Sequence, residues 1–385
     1  MKVRVYFPYA PYPPTAGGNL VVADQVRSLI ELGHEVEIVS WRERSQDFQA
    51  KQRASGVLRR AKWTLIEPGP EGKMERINRV ALSVLGHLAS PELYHYPHRA
   101  LQRLQGLGEA DLAIYHYSYA FAWLLHRGAL PDEKKRVVHF HNLESDQHDA
   151  RGGLFQLLHK WNSRKLRRHE AKLSHLVDEL WFLSGLDAEI LGVRAARIVP
   201  PTFSSELRLH RTQGSATDVV IGFIGAMDFR PNSESARWIL SELAPELYAR
   251  RFTGKILISG KNPNSDLIRL GKKFPFVEFT GFVDDVEKFW SKLSFLVVPH
   301  IVGSGVRTKI LEAIASGIPV LTNTNGQKPL PAGVIRSPFL FCRDYPEHWA
   351  DIIMNERHAY MTRGSLVDVP FCQDLKGEAV YRGAI

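Results

Sequence analysis

Short runs of β-branched and aromatic residues recur along the chain, and nearly every one is followed by a stretch of helical periodicity. "KVRVYFP" leads into a helical pattern over about 19–32, and then come "HEVEIVS", "DLAIYH", "RVVHFHN" and "ELWFLS". A second series opens with "VVIGFIG", passes through a helical pattern around 233–247, and continues with "KILISG", "VEFTGFV", "FLVVPH" and "IPVLTN". Strands joined by crossover helices pair in parallel, and their helices cover both faces of the sheet. This alternation therefore predicts an α/β protein of two doubly wound, Rossmann-like halves. Open sheets of this kind bind ligands outside the carboxyl ends of their strands, so two facing sheets would enclose a cleft.

Length supports two halves, since 385 residues exceed the size at which one core stops growing. Between the two series lies "RIVPPTFSSELRLHRTQGSATD", rich in Pro, Ser and Thr, which reads as a linker. The expected boundaries are a first domain over 1–196, a linker over 197–217 and a second domain over 218–385. Residues 40–110 are weakly patterned and fall to the first domain. The two cysteines, Cys342 and Cys372, form no CxxC and no Cys/His cluster, which argues against a disulfide scaffold or structural zinc and fits a reducing cytosol. The N-terminal stretch is interrupted by prolines and no run of 18 apolar residues occurs, so neither a signal peptide nor a spanning helix is expected.

The net charge of +9 is concentrated. From Arg151 to Lys172 there are seven Lys/Arg against one acid, Glu170, a local balance of +6. Leu154, Leu157, Leu158 and Trp161 recur there at the spacing of one helix face, which makes a basic amphipathic helix. Two readings stand: a surface helix packed on its own domain, or one that docks on anionic lipid headgroups. No helix-turn-helix, zinc-finger or RNA-binding signature accompanies the charge, and nucleic acid is not an expected partner.

Three constellations carry chemistry. In "PYAPYPPTAGGNLVVADQVRSLIELGHEV" a strand yields to a Pro-rich loop, the pair Gly17 and Gly18, and a helix with Asn19 as its cap and Val22, Val26, Leu29 and Ile30 as its buried face. Such a pair lets backbone amides approach an anion, or simply supplies φ > 0 to a turn. In "GSGVRTKILEAIASG" the small residues Gly303, Ser304 and Gly305 follow a strand and open a helix whose first turns hold Arg307 and Lys309. Cations at a helix N-terminus are disfavoured by about 0.3–1 kcal/mol each unless an anion answers them. The plainer reading is a Lys309–Glu312 surface pair one turn apart. Third, His116, His139 and His141 stand at strand ends of the first half, either as hydrogen-bonded structural residues or facing a ligand. His139 and His141 share a face and could suggest a metal pair, but apart from Glu144 and Asp146 no carboxylate or Cys lies nearby at ligand spacing, and a metal is not expected there.

Over about Lys2 to Ile353 the chain resembles family four of the retaining glycosyltransferases, which have the GT-B architecture of two facing Rossmann-like domains. The resemblance rests on "PPTAGGNLVVADQVRSLIELGHEVEIVS", "DLAIYHYS", "VVHFHNLES", "GFIGAMDFRPN", "ILISGKNP" and "VEFTGFVDDVEKFWSKLSFLVVPHIVGSGVRTKILEAIASGIPVLTN". The last run is similar to bacterial members associated with cell-envelope and exopolysaccharide sugars. The resemblance implies transfer of a hexose from a nucleotide-diphospho-sugar, UDP or GDP favoured, to a glycan, lipid-linked or small-molecule acceptor, with retention and without a metal or other cofactor. It places Glu312 on the donor ribose, the amides of Gly305, Val306 and Thr308 on the distal phosphate, and Arg307 and Lys309 as its neutralising cations. Gly17 and Gly18 would close over the donor, His141 would lie near the transferred sugar, and His116 and Asn142 would lie on the acceptor side. Ser304 stands where the family has its first motif glutamate, and in "MDFRPN" the one basic residue is Arg230. The tail after Asp368 offers little of the long C-terminal helix with which the family crosses back to its first domain. A cytoplasmic protein, peripheral on the inner membrane face, is the implied setting.

Two other functions remain open from the residues. A nucleotide-sugar epimerase can share the fold but needs acid/base carboxylates, and a non-catalytic nucleotide-sugar-binding protein would tolerate Ser304 and the short tail. An oxidoreductase is disfavoured because GxGxxG is missing after the first strand.

Overall fold

All but one of the apolar runs become largely buried parallel strands, as their near-continuous hydrophobicity demands, while "VEFTGFV" becomes a partly exposed strand at a sheet edge. The computed structural model describes residues 1–13, 17–41, 45–66, 104, 106–126, 130–149, 156–202, 219–355 and 377–385. It divides into one unit of Met1–Ser204 with Leu375–Ile385 and a second of Ser205–Asp374.

The first unit holds strands β1 (Lys2–Tyr6), β2 (Glu35–Ser40), β3 (Lys62–Leu65), β4 (Ala110–His116), β5 (Glu133–Phe140), β6 (Glu179–Phe182) and β7 (Arg197–Ile198). Their spatial order is β3-β2-β1-β4-β5-β6-β7, all in parallel. Strand alternation sends Val3, Val5, Ile38 and Ile114 into the core on one face, and Tyr6, Val39, Tyr115 and Val138 into the core on the other. The second face also carries a buried polar cluster. Tyr6 and Tyr115 stack at 4.3 Å and both donate to Glu133, at 2.7 and 2.6 Å, while Arg4 pairs with Glu37 at 3.0 Å.

The second unit holds β8 (Val220–Ile224), β9 (Lys255–Ser259), β10 (Val277–Gly281), β11 (Phe295–Val298), β12 (Val320–Thr322) and β13 (Leu340–Cys342) in the order β10-β9-β8-β11-β12-β13. In both sheets the order reverses beside the first strand, between β1 and β4 and between β8 and β11. Neighbouring loops leave in opposite directions at such a point and open a crevice at the carboxyl ends of the strands.

Six helices carry or frame the functional residues: α1 (Gly17–Glu31), α2 (Glu144–Asp149), α3 (Gln156–Lys172), α4 (Arg230–Trp238), α5 (Thr308–Ala315) and α6 (Gly377–Arg382). They correct several expectations. Asn19 does not cap α1, which begins at Gly17; its side-chain amide donates instead to the Ala10 carbonyl at 3.1 Å. The first domain does not end at 196, because β7 pairs with β6 as the sheet's last strand. Nor does the chain's end belong to the second domain. Helix α6 packs on α1, Tyr381 is fully buried in the first unit's core, and Arg197 donates to the Gly383 carbonyl at 2.7 Å. Most of the expected linker, from 203 onward, lies outside the described residues.

The basic helix α3 turns Leu166 and Glu170 inward, at 1% and 0% exposure. Trp161 does not join that buried face: it is 42% exposed, with the Lys165 ammonium 3.7 Å over its ring. Leu154 lies outside the described residues. Among the described residues no helix is long and apolar enough to cross a membrane.

Candidate functional site

The sequence-selected residues gather into two clusters, one at each reversal of strand order. In the first unit, β4 delivers His116 and β5 delivers His139 directly opposite it, with His141 one step past the strand. Alternation puts His139 and His141 on one face, where α1 covers them. Helix α1 contributes Gln25, on the same helical face as Gly18 because seven residues make nearly two turns.

These groups are joined in series. Gln25 Oε1 lies 2.7 Å from His116 Nε2, His116 Nδ1 lies 2.8 Å from His141 Nε2, and Gln25 Nε2 lies 3.4 Å from His139 Nδ1. His116 and His139 are fully buried and His141 is 6% exposed. Burial, reinforced at His116 and His141 by the neighbouring imidazoles, pushes all three downward, His139 to about 3. They are neutral at physiological pH. One ring nitrogen from each lies within 4.8 Å of the others, close enough to consider a metal. Both nitrogens of His116 also lie within hydrogen-bond distance of a partner, Gln25 on one side and His141 on the other.

Gly18 is required by proximity and not by φ. A Cβ there would collide with the Tyr117 hydroxyl and lie 3.5 Å from His141 Nδ1. Tyr117 itself holds φ at 72°, a left-handed backbone that costs an aromatic residue about 1–3 kcal/mol and tends to occur at functional sites. Its ring lies 4.5 Å from that of His141. Asn142 follows, half-buried, its Oδ1 without a partner among the described residues. Beyond it, the buried Glu170 of α3 accepts from the amides of Glu144 and Ser145 and from the Ser145 hydroxyl, which ties down the start of α2. Burial pushes that carboxyl up to about 7 despite those donors.

In the second unit the loop after β11 uses Gly303 and Gly305 at φ 96° and 87°, backbone that a side chain would strain. This loop delivers α5, but the cations are not placed as the sequence suggested. Arg307 is the N-cap rather than a first-turn residue, and its guanidinium lies 2.8 Å from His300 Nδ1. His300 turns its other nitrogen to the Gly303 carbonyl at 2.6 Å. A carbonyl can only accept, so Nε2 carries the hydrogen and Nδ1 is the acceptor for Arg307. Burial and the adjacent guanidinium hold His300 down at about 4, consistent with that neutral ring.

Lys309 reaches back across the reversal point to the end of β8, donating to the Ile224 carbonyl and to Asn232 Oδ1 at 2.9 Å, with the Phe223 ring 4.6 Å away. Both acceptors are uncharged. Burial, with Arg307 adding repulsion that the Glu312 carboxylate partly offsets, pushes the ammonium down to about 7, and burial raises Glu312 to about 6 against the pull of Thr308 and Lys309. Thr308 and Glu312 are half-buried, Gly305 and Val306 buried, and Ser304 Oγ has no partner among the described residues. Arg230 is not brought to Lys309. It lies 42% exposed at the start of α4, 3.8 Å from Glu234, and Asn232 takes the place beside the ammonium.

Two family models match, one on each unit. The model for Glycosyltransferase Family 4 matches residues 15–190, and that for glycosyl transferases group 1 matches 218–355. The chain is a glycosyltransferase family 4-like protein. Its two units have the Rossmann-like GT-B fold. TarM is similar over 100% of this chain and 97% of its own, at 11% identity and a TM-score of 0.70. Anabaena HepE, solved with UDP and glucose, is 15% identical, with 100% and 98% covered and a TM-score of 0.67. An E. coli trehalose-6-phosphate structure bound with UDP-2-fluoro glucose is 10% identical, with 100% and 98% covered and a TM-score of 0.62. No curated protein matches the sequence.

Of this glycosyltransferase's site, the sequence missed Gln25, Tyr117, Asn232 and His300. His300 carried the same signal as His116, a histidine at a strand's carboxyl end. Gln25 was visible as a polar residue within the apolar stripe of α1, while nothing local marked Asn232, two residues beyond the basic residue that drew attention.

Proposed function

We propose that this protein transfers a hexose from a nucleotide-diphospho-sugar to an acceptor hydroxyl with retention of anomeric configuration and without calling on a metal ion. The observation that carries the reading is Lys309, an ammonium held at the reversal point of the second sheet by two uncharged acceptors, the Ile224 carbonyl and Asn232 Oδ1, so that the Glu312 carboxylate answers its charge only in part and an anionic ligand can complete it. Arg307, braced on His300, and the open amides at the start of α5 add to the same field. Loss of a nucleoside diphosphate builds negative charge on the leaving phosphate, and preorganised amides and cations stabilise that charge. In this reading Gly305, Val306 and Thr308 hold the distal phosphate, Glu312 the ribose, Ser304 and Arg230 flank the donor, and Gly17, Gly18 and His141 adjoin the transferred sugar.

Front-face departure and attack then give retention, the leaving phosphate accepting the proton of the incoming hydroxyl. UDP is favoured as the nucleotide because HepE and the E. coli relative bind UDP and a UDP-sugar. His116 and Asn142 lie on the acceptor side. The exposed Trp161 on the basic helix, with the half-buried Lys165 over its ring, supports a lipid-linked acceptor presented at an anionic surface.

The test is a panel of UDP- and GDP-sugars followed by thermal shift and by nucleoside diphosphate release. A ligand at about 100 times its dissociation constant adds about 2.7 kcal/mol of stability. Turnover that survives EDTA, with the product's anomeric configuration matching the donor's, is expected. Neither shift nor release with any donor would overturn the reading, and sugar isomerisation without acceptor would replace it with an epimerase.

A further inference from the structure

The hydrogen bonds that join Gln25 to the three histidines have a direction, and the Gln25 amide sets it. Gln25 turns its NH2 toward His139 Nδ1 at 3.4 Å and its Oε1 toward His116 Nε2 at 2.7 Å. An amide NH2 only donates, so His139 Nδ1 is the acceptor in that contact. Because Oε1 only accepts, His116 Nε2 must donate to it, and His116 Nδ1 is bare. His141 Nε2 therefore donates across the 2.8 Å contact, and His141 Nδ1 is left without a hydrogen.

That last nitrogen belongs to a side chain only 6% exposed, has no partner among the described residues, and faces the first turn of α1 beside Gly18. The first amides of α1 have no carbonyl within the helix to bond, so donors and one bare acceptor meet at the same spot. We propose that Gln25 and His116 are positioning residues that lock His141 in the Nε2–H tautomer, so that Nδ1 is an obligatory hydrogen-bond acceptor and the group bound there must be a donor, a hydroxyl rather than a phosphate or carboxylate oxygen. Assigning that hydroxyl to a donor sugar rests on the glycosyltransferase reading above; the tautomer itself does not.

The lock explains why the row is neutral throughout. A single added proton would reverse one link and turn Nδ1 into a donor, and burial away from compensating carboxylates opposes that proton. It also explains the composition of the row, since an amide between two imidazoles transmits direction by offering one donor and one acceptor on the same planar group.

The experiment is nitrogen-detected NMR of protein labelled at histidine, with His141 assigned by His141→Gln, at pH 7.5. In the wild type, the His141 spectrum should show a protonated Nε2 and a bare Nδ1. In Gln25→Leu and in His116→Phe the preference should collapse to a mixture of tautomers, while folding is checked by far-UV circular dichroism. Gln25→Glu, which sets a carboxylate against His116 Nε2 and so favours a proton on that ring, should move His141 toward the Nδ1–H form. A His141 protonated at Nδ1 in the wild type, or an unchanged tautomer in both disrupting variants, overturns the proposal. So does stoichiometric zinc in protein purified without chelator, since it would make the row a ligand set. If sugar transfer is absent altogether, the spectra still decide the lock; if transfer is present, Gln25→Leu should lower kcat at least about fivefold with little change in donor KM.

Discussion

At the carboxyl ends of β4 and β5 the first unit gathers three imidazoles that burial keeps neutral, whereas at β8 and β11 the second gathers an ammonium on uncharged acceptors and a guanidinium on a neutral imidazole. The two sheets share strand order through six strands and place their clusters at the same reversal point. Topology therefore sets where a ligand can sit, and the residues at the loop starts set what kind. A row of neutral, directed hydrogen bonds suits hydroxyl groups, while an ammonium resting on uncharged acceptors suits a diphosphate.

The largest expected effect concerns the frame of the first unit alone. Tyr381→Ala should remove about 3 kcal/mol from that unit, the usual cost of truncating a buried aromatic residue. In calorimetry the transition belonging to the first unit should move down while that of the second stays; a uniform shift of a single transition would break the division into two units. Next comes the charge of the second cluster. Lys309→Ala should lower kcat/KM about a hundredfold, ~2.7 kcal/mol of transition-state stabilisation, and Arg307→Ala about tenfold. Wild-type kinetics in both would remove the diphosphate from this end of the sheet.

Gly18→Ala tests the first cluster by shape. The added Cβ displaces the Tyr117 hydroxyl and crowds His141 Nδ1, so turnover should fall about tenfold, while the better helix propensity of Ala keeps melting within about 1 kcal/mol of wild type. A smaller effect separates the two chemistries directly. Lys309 is pushed down to about 7, so at pH 8 it is mostly neutral, and a bound diphosphate would favour its charged form. Binding of UDP at pH 8 should then take up a fraction of a proton, read as a dependence of the calorimetric heat on buffer ionisation enthalpy. Lys309→Met should abolish it, and uptake that persists would assign the proton elsewhere.

The smallest effect is on pH and stability. The imidazoles of the first unit have folded values below their ordinary 6.5, so their contribution is present above that pH and lost as pH falls. Glu170 acts in the opposite sense: raised from 4.5 to about 7, it favours folding below about 4.5 and progressively less as pH rises through 7. Glu170→Gln should therefore flatten the decline in melting temperature between those values and leave the acid side unchanged.

Ten strands, the parallel pairing and the halving of the chain were legible in the sequence, because strands buried on both faces must be apolar throughout and crossover helices must be amphipathic. The edge strands β3, β7 and β13 were not, since they are short and carry little hydrophobic signal. Glycine spacing and misplaced cations located the loop before α5, and strand-end histidines located the other cluster. What the sequence could not decide was partnership. Whether Lys309 pairs with Glu312 one turn away or reaches Ile224 and Asn232, 85 and 77 positions distant, depends on how close the reversal of strand order brings β8 to α5. The same holds for Gln25 and His116, 91 positions apart, and for Tyr381, whose burial returns the chain's end to the first unit. Residue type is local and sets the chemistry available. The direction of a hydrogen bond, and the choice between neutral and charged partners, come from packing that only the tertiary structure supplies.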